Sequence, residues 1–264
     1  MMNAVYAGDH RVLCVNALGM MMVVDGRDIS LAPHIIRGSI WEEHMTNLVT
    51  TVLHPGMTFI DVGANVGWFS LAASRLVGPE GKVIAVEANP DTYDLLRTNL
   101  EINGFSDRAT AWRKAAWHED AELEFHVMRK HKGGCSVRRD AVARAVDLHD
   151  DAETIRVEAM RLDDMVGDEL PVHLVKIDAE GAEPSVLRGM RRIMAQNKEL
   201  CITVEFAPAW FPDDAGGPFL DEIEGYGFKI RKLDPNAQLL ALNHDELMRI
   251  PHNDLLLVPA DMDI

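Results

Sequence analysis

The sequence predicts an α/β fold built on a doubly wound, mostly parallel sheet, and three observations carry that reading. From Met57 onward, short β-branched runs alternate with amphipathic stretches, the pattern left by βαβ units. The turn Asp61-Val-Gly-Ala-Asn-Val-Gly67 lies between the first such run and the first amphipathic stretch, where doubly wound folds place a ligand loop. The 264 residues, 47% hydrophobic and 26% charged, have the make-up of one globular domain, which excludes collagen, coiled coil and wholesale disorder.

Met57 to Gly63 reads as the first strand of the sheet. Val66 to Leu76 reads as a helix with Val66, Phe69, Leu71, Ala72 and Leu76 on its apolar face, ended by Gly78-Pro79. Lys82 to Glu87 is the second strand. Pro90 suits a helix start, and Leu95, Leu96, Leu100 and Ile102 carry that helix to Asn103-Gly104. A third strand is expected at Ala109 to Ala115, and the period-2 stretch Ala121 to Val127 reads as an antiparallel addition. Leu174 to Asp178 and Leu200 to Glu205 are further strands, separated by a helix at Ser185 to Met194. A helix near Phe219 to Glu224, a strand at Phe228 to Leu233 and a terminal strand at Leu255 to Val258 complete the pattern. Upstream, Val12 to Val24 is interrupted by Asn16 and Gly19 and falls short of the about 20 apolar residues that span a bilayer, so it reads as a hairpin. Residues 1–54 are expected to form a cap of hairpin and helix, and residues 55–264 the main domain.

Charge and cysteine usage narrow the partners. The chain carries 26 Lys+Arg against 42 Asp+Glu, a net −16 with neutral histidines, so its surface repels nucleic-acid backbones and anionic membranes. Neither is an expected partner. Three widely spaced cysteines, Cys14, Cys135 and Cys201, give neither a disulfide framework nor a zinc pattern, which points to a reducing compartment. Met1 to Arg11 lacks the features of a secretory signal, so the expected location is cytoplasmic. One segment departs from the acidic character: Met128 to Thr154 holds Arg129, Lys130, His131, Lys132, Arg138 and Arg139 around Gly133-Gly134. It reads either as a solvated loop or as a mobile flap that steers an anionic group of the substrate.

The glycine turn has the spacing D-x-G-x-x-x-G and lacks the G-x-G-x-x-G that cradles a dinucleotide pyrophosphate. Gly63 permits a tight turn and close approach of a ligand, and Gly67 permits close helix packing. Glu87 ends the second strand about 20 residues further on, where an acid accepts hydrogen bonds from ribose hydroxyls in folds of this class. Asp61 and Glu87 together suit a nucleoside with a cationic tail, and S-adenosylmethionine, with its ribose, ammonium and sulfonium, fits that description.

Gly56 to Asn103, together with Lys176-Ile-Asp-Ala-Glu-Gly-Ala-Glu183 and Val204-Glu-Phe206, resembles the FkbM family of S-adenosylmethionine-dependent O-methyltransferases. The resemblance covers roughly residues 40 to 210. It implies a Rossmann-like class I methyltransferase fold with a seven-stranded sheet and an antiparallel last strand, and methylation of hydroxyl groups on sugars, polyketides or other natural-product intermediates. By position, the family's cofactor loop falls on Asp61, Gly63, Ala64, Asn65 and Gly67 and its ribose acid on Glu87, with Asn89 beside it. Ala115 and Asp178 join the cofactor set. Glu42 matches an acidic residue that the family places upstream of the first strand, although the adjacent Glu43 fits as well. Ala88 stands where the family commonly has proline.

Lys176, Asp178 and Glu180 recur at i, i+2 and i+4 and so share one face while the backbone stays extended. A central parallel strand is normally apolar on both faces, so three charges there are costly unless paired or used. Methyl transfer to an alcohol requires in-line alignment and removal of the hydroxyl proton, by a carboxylate or by a metal-assisted route. Glu180 is the expected general base, with Asp178 and Glu205 orienting the acceptor. Those two carboxylates are also the candidate ligands for Mg²⁺, and a plain structural pair of Lys176 with Asp178 is the alternative.

Other residues carry paired readings. Trp210, Phe211 and Pro212, ahead of a Gly216-Gly217 hinge, line a substrate pocket or plug the core. His118 lies near the expected adenine, and His173 is a candidate second base. Asp163-Asp164 reads as a helix cap or a site turn. The acceptor expected is a small-molecule hydroxyl, with an anionic handle for the basic flap, and the oligomeric state is left open to a homo-oligomer. An N-methyltransferase on the same scaffold and a catalytically silent nucleoside-binding protein remain alternatives.

Overall fold

A computed structural model describes residues 4–138, 145–167, 171–211 and 215–262. Its central sheet has eight strands. β4 (Thr58–Val62), β5 (Lys82–Val86) and β6 (Ala109–Trp112) run outward to one side. β10 (Leu174–Ile177), β11 (Cys201–Phe206), β14 (Asn253–Pro259), β12 (Phe228–Leu233) and β13 (Leu239–Leu240) run to the other, giving the order β13-β12-β14-β11-β10-β4-β5-β6. β4 pairs in parallel with both β5 and β10, so the strand order reverses there and opens a crevice at the carboxyl ends. The last strand, β14, is antiparallel to both β11 and β12, as expected. The expected seven strands become eight because the two-residue β13 adds to the β12 edge.

Alternation along each strand builds two cores. Phe59 faces one cluster, with Met22, Ile35, Val49, Leu71 and Leu96, while Ile60 and Val62 face the other, with Val175, Ile177, Val204 and Phe219. α3 (Trp68–Val77) and α4 (Pro90–Ile102) contribute to the first cluster. α6 (Glu183–Arg188), α7 (Arg191–Gln196) and α8 (Gly216–Gly225) contribute to the second. Each fully buried aliphatic or aromatic side chain contributes about 1.5–3 kcal/mol, so these clusters hold the crevice rigid.

The N-terminal hairpin is present as β2 (Arg11–Val15) and β3 (Met21–Asp25), with β1 (Ala4–Tyr6) added at its edge. Two helices follow instead of one, α1 (Ala32–Ile36) and α2 (Glu43–Val52). Their apolar residues belong to the same cluster as Phe59 and Trp68. Buried Asn99 of α4 fastens the hairpin: Oδ1 accepts from Val23 N at 2.6 Å, while Nδ2 donates to Val23 O at 3.0 Å and Val66 O at 2.8 Å.

Three local expectations change. The third strand ends at Trp112, and Ala115–Trp117 (β7) instead pairs with β9 (Ala152–Arg161) in a separate sheet with β8 (Ala121–Met128). β8 is antiparallel to β9, so the period-2 addition is real but belongs to this second sheet. The Ser185–Met194 helix breaks in two at Gly189, where a Cβ would sit 1.9 Å from Trp117 O, a contact only glycine avoids. The expected terminal helix is longer, with Gly216-Gly217 forming the first turn of α8 instead of a hinge. α5 (Leu162–Val166) and α9 (His244–Arg249) were not anticipated.

Candidate active site

The glycine turn closes the carboxyl end of β4 against its neighbours. Gly63 adopts φ 74°, and a Cβ there would lie 1.8 Å from the Asp178 carbonyl oxygen. The two loops therefore meet backbone to backbone. Gly63 N and Ala64 N both donate to Val86 O at 3.0 Å, and Gly67, at φ 92°, precedes α3 where any Cβ would strike Leu96. Asn65, itself at φ 49°, sends its backbone N–H to Glu87 Oε2 at 2.8 Å. Asn89 N donates to Glu87 Oε1 at 2.8 Å, while the Asn89 side chain caps α4 through Asp91 N. Burial pushes the Glu87 carboxyl up to about 7, against the pull of those two amides.

Asp61 is fully buried. Its Oδ2 accepts from Ser70 Oγ at 2.6 Å, but its Oδ1 has no partner, and burial raises its carboxyl pKa despite nearby Lys176. Lys176 is 3% exposed, with Nζ 2.8 Å from Asp178 Oδ2 and 4.8 Å from the centroid of the Phe69 ring. Burial alone would depress its ammonium, yet Asp178, Glu42 and Asp61 outweigh that and hold it above the usual lysine range. Asp178 shows the converse: burial would raise it, and Lys176 keeps it below the ordinary carboxylate value. Burial, followed by the charges of Asp178 and Glu180, drives the Glu205 carboxyl well above its ordinary value, the opposite direction from Asp178. Glu205 Oε1 lies 3.1 Å from His252 Nε2.

A cavity of about 350 Å³ joins these parts. Gly63, Ala64, Asn65, Glu87 and Ala115 line it together with Lys176, Asp178, Glu180, Glu205 and Glu42. Asp61, Gly67 and Asn89 stand behind this wall as supports. Glu42 sits at φ 40° just before α2 with its carboxyl pushed up to about 7, by burial and by Asp178 and Asp254 against Lys176. The adjacent Glu43 is exposed. A second cavity of about 190 Å³ lies across the same acids, bounded by Glu42, Asp178, Glu205, His44, His252 and Asp254. His44 Nε2 is 2.8 Å from Asp254 Oδ2.

The basic segment forms part of the wall, with His131 to Cys135 lining the large cavity. Its cations face acids or carbonyls: Lys132 lies 3.3 Å from Asp25 and 3.6 Å from Asp91, His131 is 3.0 Å from Asp150, and Lys130 Nζ donates to His149 O. Arg138 stacks over Trp210 at 5.6 Å. Arg139 and Pro212 lie outside the described residues.

Several expected site residues sit elsewhere. His173 is at the amino end of β10, where its Nδ1 accepts from Thr58 N at 3.0 Å, so it supports the sheet at the end opposite the cavity and is no second base. His118 is exposed beside Glu119. Asp163 accepts from Ile193 N and Arg192 N and caps α7, and Asp164 pairs with Arg161. Phe211 packs on Phe206 and Phe219 in the core. For a metal, Asp178 and Glu205 lack a third ligand: among the described residues, the one set of three His, Cys, Asp or Glu ligand atoms within 4.8 Å of one another is Asp221, Glu224 and His244. Lys114, Trp117, Phe125 and Cys135 line the cavity with no motif to announce them. His252 and Asp254 were legible only through long-range pairing, since Asp254 stands opposite Glu205 in the β11–β14 register.

The sequence profile described as the methyltransferase FkbM domain matches residues 61–230. The 31-O-demethyl-FK506 methyltransferase FkbM of Streptomyces tacrolimicus is 27% identical over 207 residues, 67% of this chain and 75% of that protein. Methyltransferase 1 of Beauveria bassiana is 30% identical over 50% of this chain and 57% of its own length. Methyltransferase sdnD of Sordaria araneosa is 26% identical over 57% of this chain and 66% of its own, so the match spans under two thirds of these two relatives. Among solved structures, an S-adenosylmethionine-dependent O-methyltransferase from Thermotoga maritima superposes with a TM-score of 0.44 at 15% identity, covering 96% of this chain and 78% of that one. No helix among the described residues is long and apolar enough to cross a membrane.

Proposed function

The chain belongs to the FkbM methyltransferase family, and from that premise we propose that it methylates a hydroxyl group of a small molecule with S-adenosylmethionine as the methyl donor. The observation that carries the reading is the backbone contact of Gly63 with Asp178, which makes the glycine turn and the acidic turn two walls of one cavity. The residues present suit this cofactor. Gly63 lets the glycine turn close onto the Asp178 backbone, Asp61 Oδ1 is a buried acceptor without a donor, and Glu87 lines the cavity with its carboxyl oxygens. Glu87 would hold the ribose hydroxyls, Asp61, Gly63, Ala64, Asn65 and Gly67 would form the loop around the cofactor, and Glu42, Asn89 and Ala115 would complete its surroundings. When bound, S-adenosylmethionine supplies a methyl group activated by its sulfonium.

The protein's own work is orientation and proton removal. Lys176 holds Asp178 below the ordinary carboxylate value, so Asp178 can accept a hydrogen bond from the acceptor hydroxyl, and Glu205, whose Oε2 is buried without a partner, can form a second one. Glu180 takes the hydroxyl proton. A Mg²⁺ ion on Asp178 and Glu205 would have to compete with Lys176, which already holds Asp178 Oδ2. Residues 1–54 act as a cap over the domain of residues 55–264, contributing Ser30, Leu31 and Glu42 to the cavity wall.

Calorimetric titration with S-adenosylmethionine and S-adenosylhomocysteine, each with Mg²⁺ and with chelator, tests the cofactor assignment. Micromolar binding of both is expected. In an acceptor screen read by product mass, Glu180→Gln should lower kcat by about 10²–10⁴-fold with cofactor affinity nearly unchanged. Unchanged turnover in that variant would remove Glu180 from the chemistry.

A further inference from the structure

The acidic turn has an unusual backbone. Glu180 adopts φ 50° and Gly181 φ 98°, so two successive residues occupy the left-handed region, and one of them is not glycine. A turn of this kind needs outside support to persist. From the basic segment, Ser136 Oγ donates to Glu180 O at 2.8 Å. On the core side stands Glu183, the first residue of α6, with 0% exposure. Its Oε1 accepts from Ala179 N at 2.9 Å, and its Oε2 is buried without a partner. Burial pushes the Glu183 carboxyl up to about 8, against the pull of the backbone N–H groups of Glu183, Ala179 and Gly181.

A fully buried carboxyl with one unsatisfied oxygen is costly, and the favourable field of a helix start offsets only part of that cost. The bond to Ala179 N gives it a use. Ala179 follows Asp178, whose carbonyl abuts Gly63, so fixing Ala179 fixes the spacing between the acidic turn and the glycine turn. We infer that Glu183 is a positioning residue, holding the 178–181 turn in place so that Asp178 and Glu180 face the cavity beside the glycine loop. This rests on the reading of that cavity as the cofactor and acceptor site.

Three variants separate positioning from bulk stability. Glu183→Gln keeps the length and the Oε1 acceptor, Glu183→Asp keeps the acid but is one methylene shorter, and Glu183→Ala removes the group. Two readouts apply to each, amide hydrogen exchange over residues 176–184 and calorimetric affinity for S-adenosylhomocysteine. In Glu183→Asp and Glu183→Ala, exchange at Ala179 should rise by about tenfold or more and affinity should fall by about tenfold, while Glu183→Gln should stay within about threefold of the parent on both. Unaltered exchange and affinity in the Asp variant, or equal losses in Gln and Asp, would overturn the inference. If the Ala variant does not fold, the Gln and Asp pair decides. If the parent protein binds no S-adenosylhomocysteine yet exchange follows the expected order, the cofactor reading falls and the positioning role stands.

Discussion

Replacing Lys176 with Met removes the ammonium that offsets the acids around the crevice. Its Nζ is buried 2.8 Å from Asp178 Oδ2, and Asp61 and Glu42 also act on it. Breaking a buried pair by deleting one partner costs about 3–5 kcal/mol, because the remaining charge is left uncompensated in a poorly hydrated site. For a chain of this size about 1 kcal/mol shifts Tm by about 2–4 °C, so Lys176→Met should melt about 6–20 °C lower near pH 8. The pH dependence supplies the sharper check. Without Lys176 the folded-state pKa of Asp178 rises above its unfolded value, so the penalty is full at alkaline pH and fades as pH falls through that raised value and the acids take up protons. Adding Asp178→Asn to Lys176→Met should recover part of the loss, since the pair is then removed together. Urea unfolding of the three proteins at pH 8 and pH 5.5 measures all of this. A loss below about 1 kcal/mol at pH 8, or one equal at both pH values, would refute the claim that Lys176 compensates buried acids.

Three further outcomes are expected. Gly63→Ala should abolish calorimetric binding of S-adenosylhomocysteine, because its Cβ would overlap the Asp178 carbonyl at 1.8 Å, and retained micromolar affinity would contradict that geometry. Asn99→Ala leaves Val23 N, Val23 O and Val66 O without their side-chain partner, so urea unfolding should show a loss of about 2–4 kcal/mol, and a loss under 0.5 kcal/mol, an order-of-magnitude threshold, would count against it. Glu42 and Glu87, with carboxyls at about 7, and Glu183, at about 8, are all raised above the ordinary glutamate value, so each contributes stability present below about pH 4.5 and lost as pH rises through 7 to 8. Urea midpoints at pH 5 and pH 8.5 should fall with pH in the parent and fall less in Glu87→Gln.

The β4–α3–β5–α4 unit was legible because each piece is local: strands apolar on both faces, a glycine at the turn, and Pro90 opening a helix. The second sheet was not. β9 does alternate, with Ile155, Val157 and Ala159 facing Phe125, but its partners lie on β7 and β8 across the charged segment, and pairing over that distance leaves no local mark. The acids of the site were visible as an anomaly, charges on a strand that should be apolar. The Lys176–Asp178 pair was legible as a local i, i+2 contact, whereas Glu205 meeting His252 was not, since it depends on the neighbour strand β14. Similarly, Glu42 and Glu43 differ only in where α2 begins: the residue before it, held at φ 40°, lines the cavity, and the first helical residue meets solvent.

Asn99 and the shared apolar cluster bear on how relatives of this chain can be recombined. The hairpin, α2 and the methyltransferase core meet through Val23, Asn99, Val66 and the bond from Trp68 Nε1 to Thr46 Oγ1. A chimera that swaps the first 54 residues for those of a distant relative would set mismatched partners against Phe59, Leu71 and Leu96 and forfeit the amide bridge. Altered acceptor preference is therefore better sought by point changes along the cavity wall, such as Ser30 or Leu31, than by grafting the whole N-terminal segment.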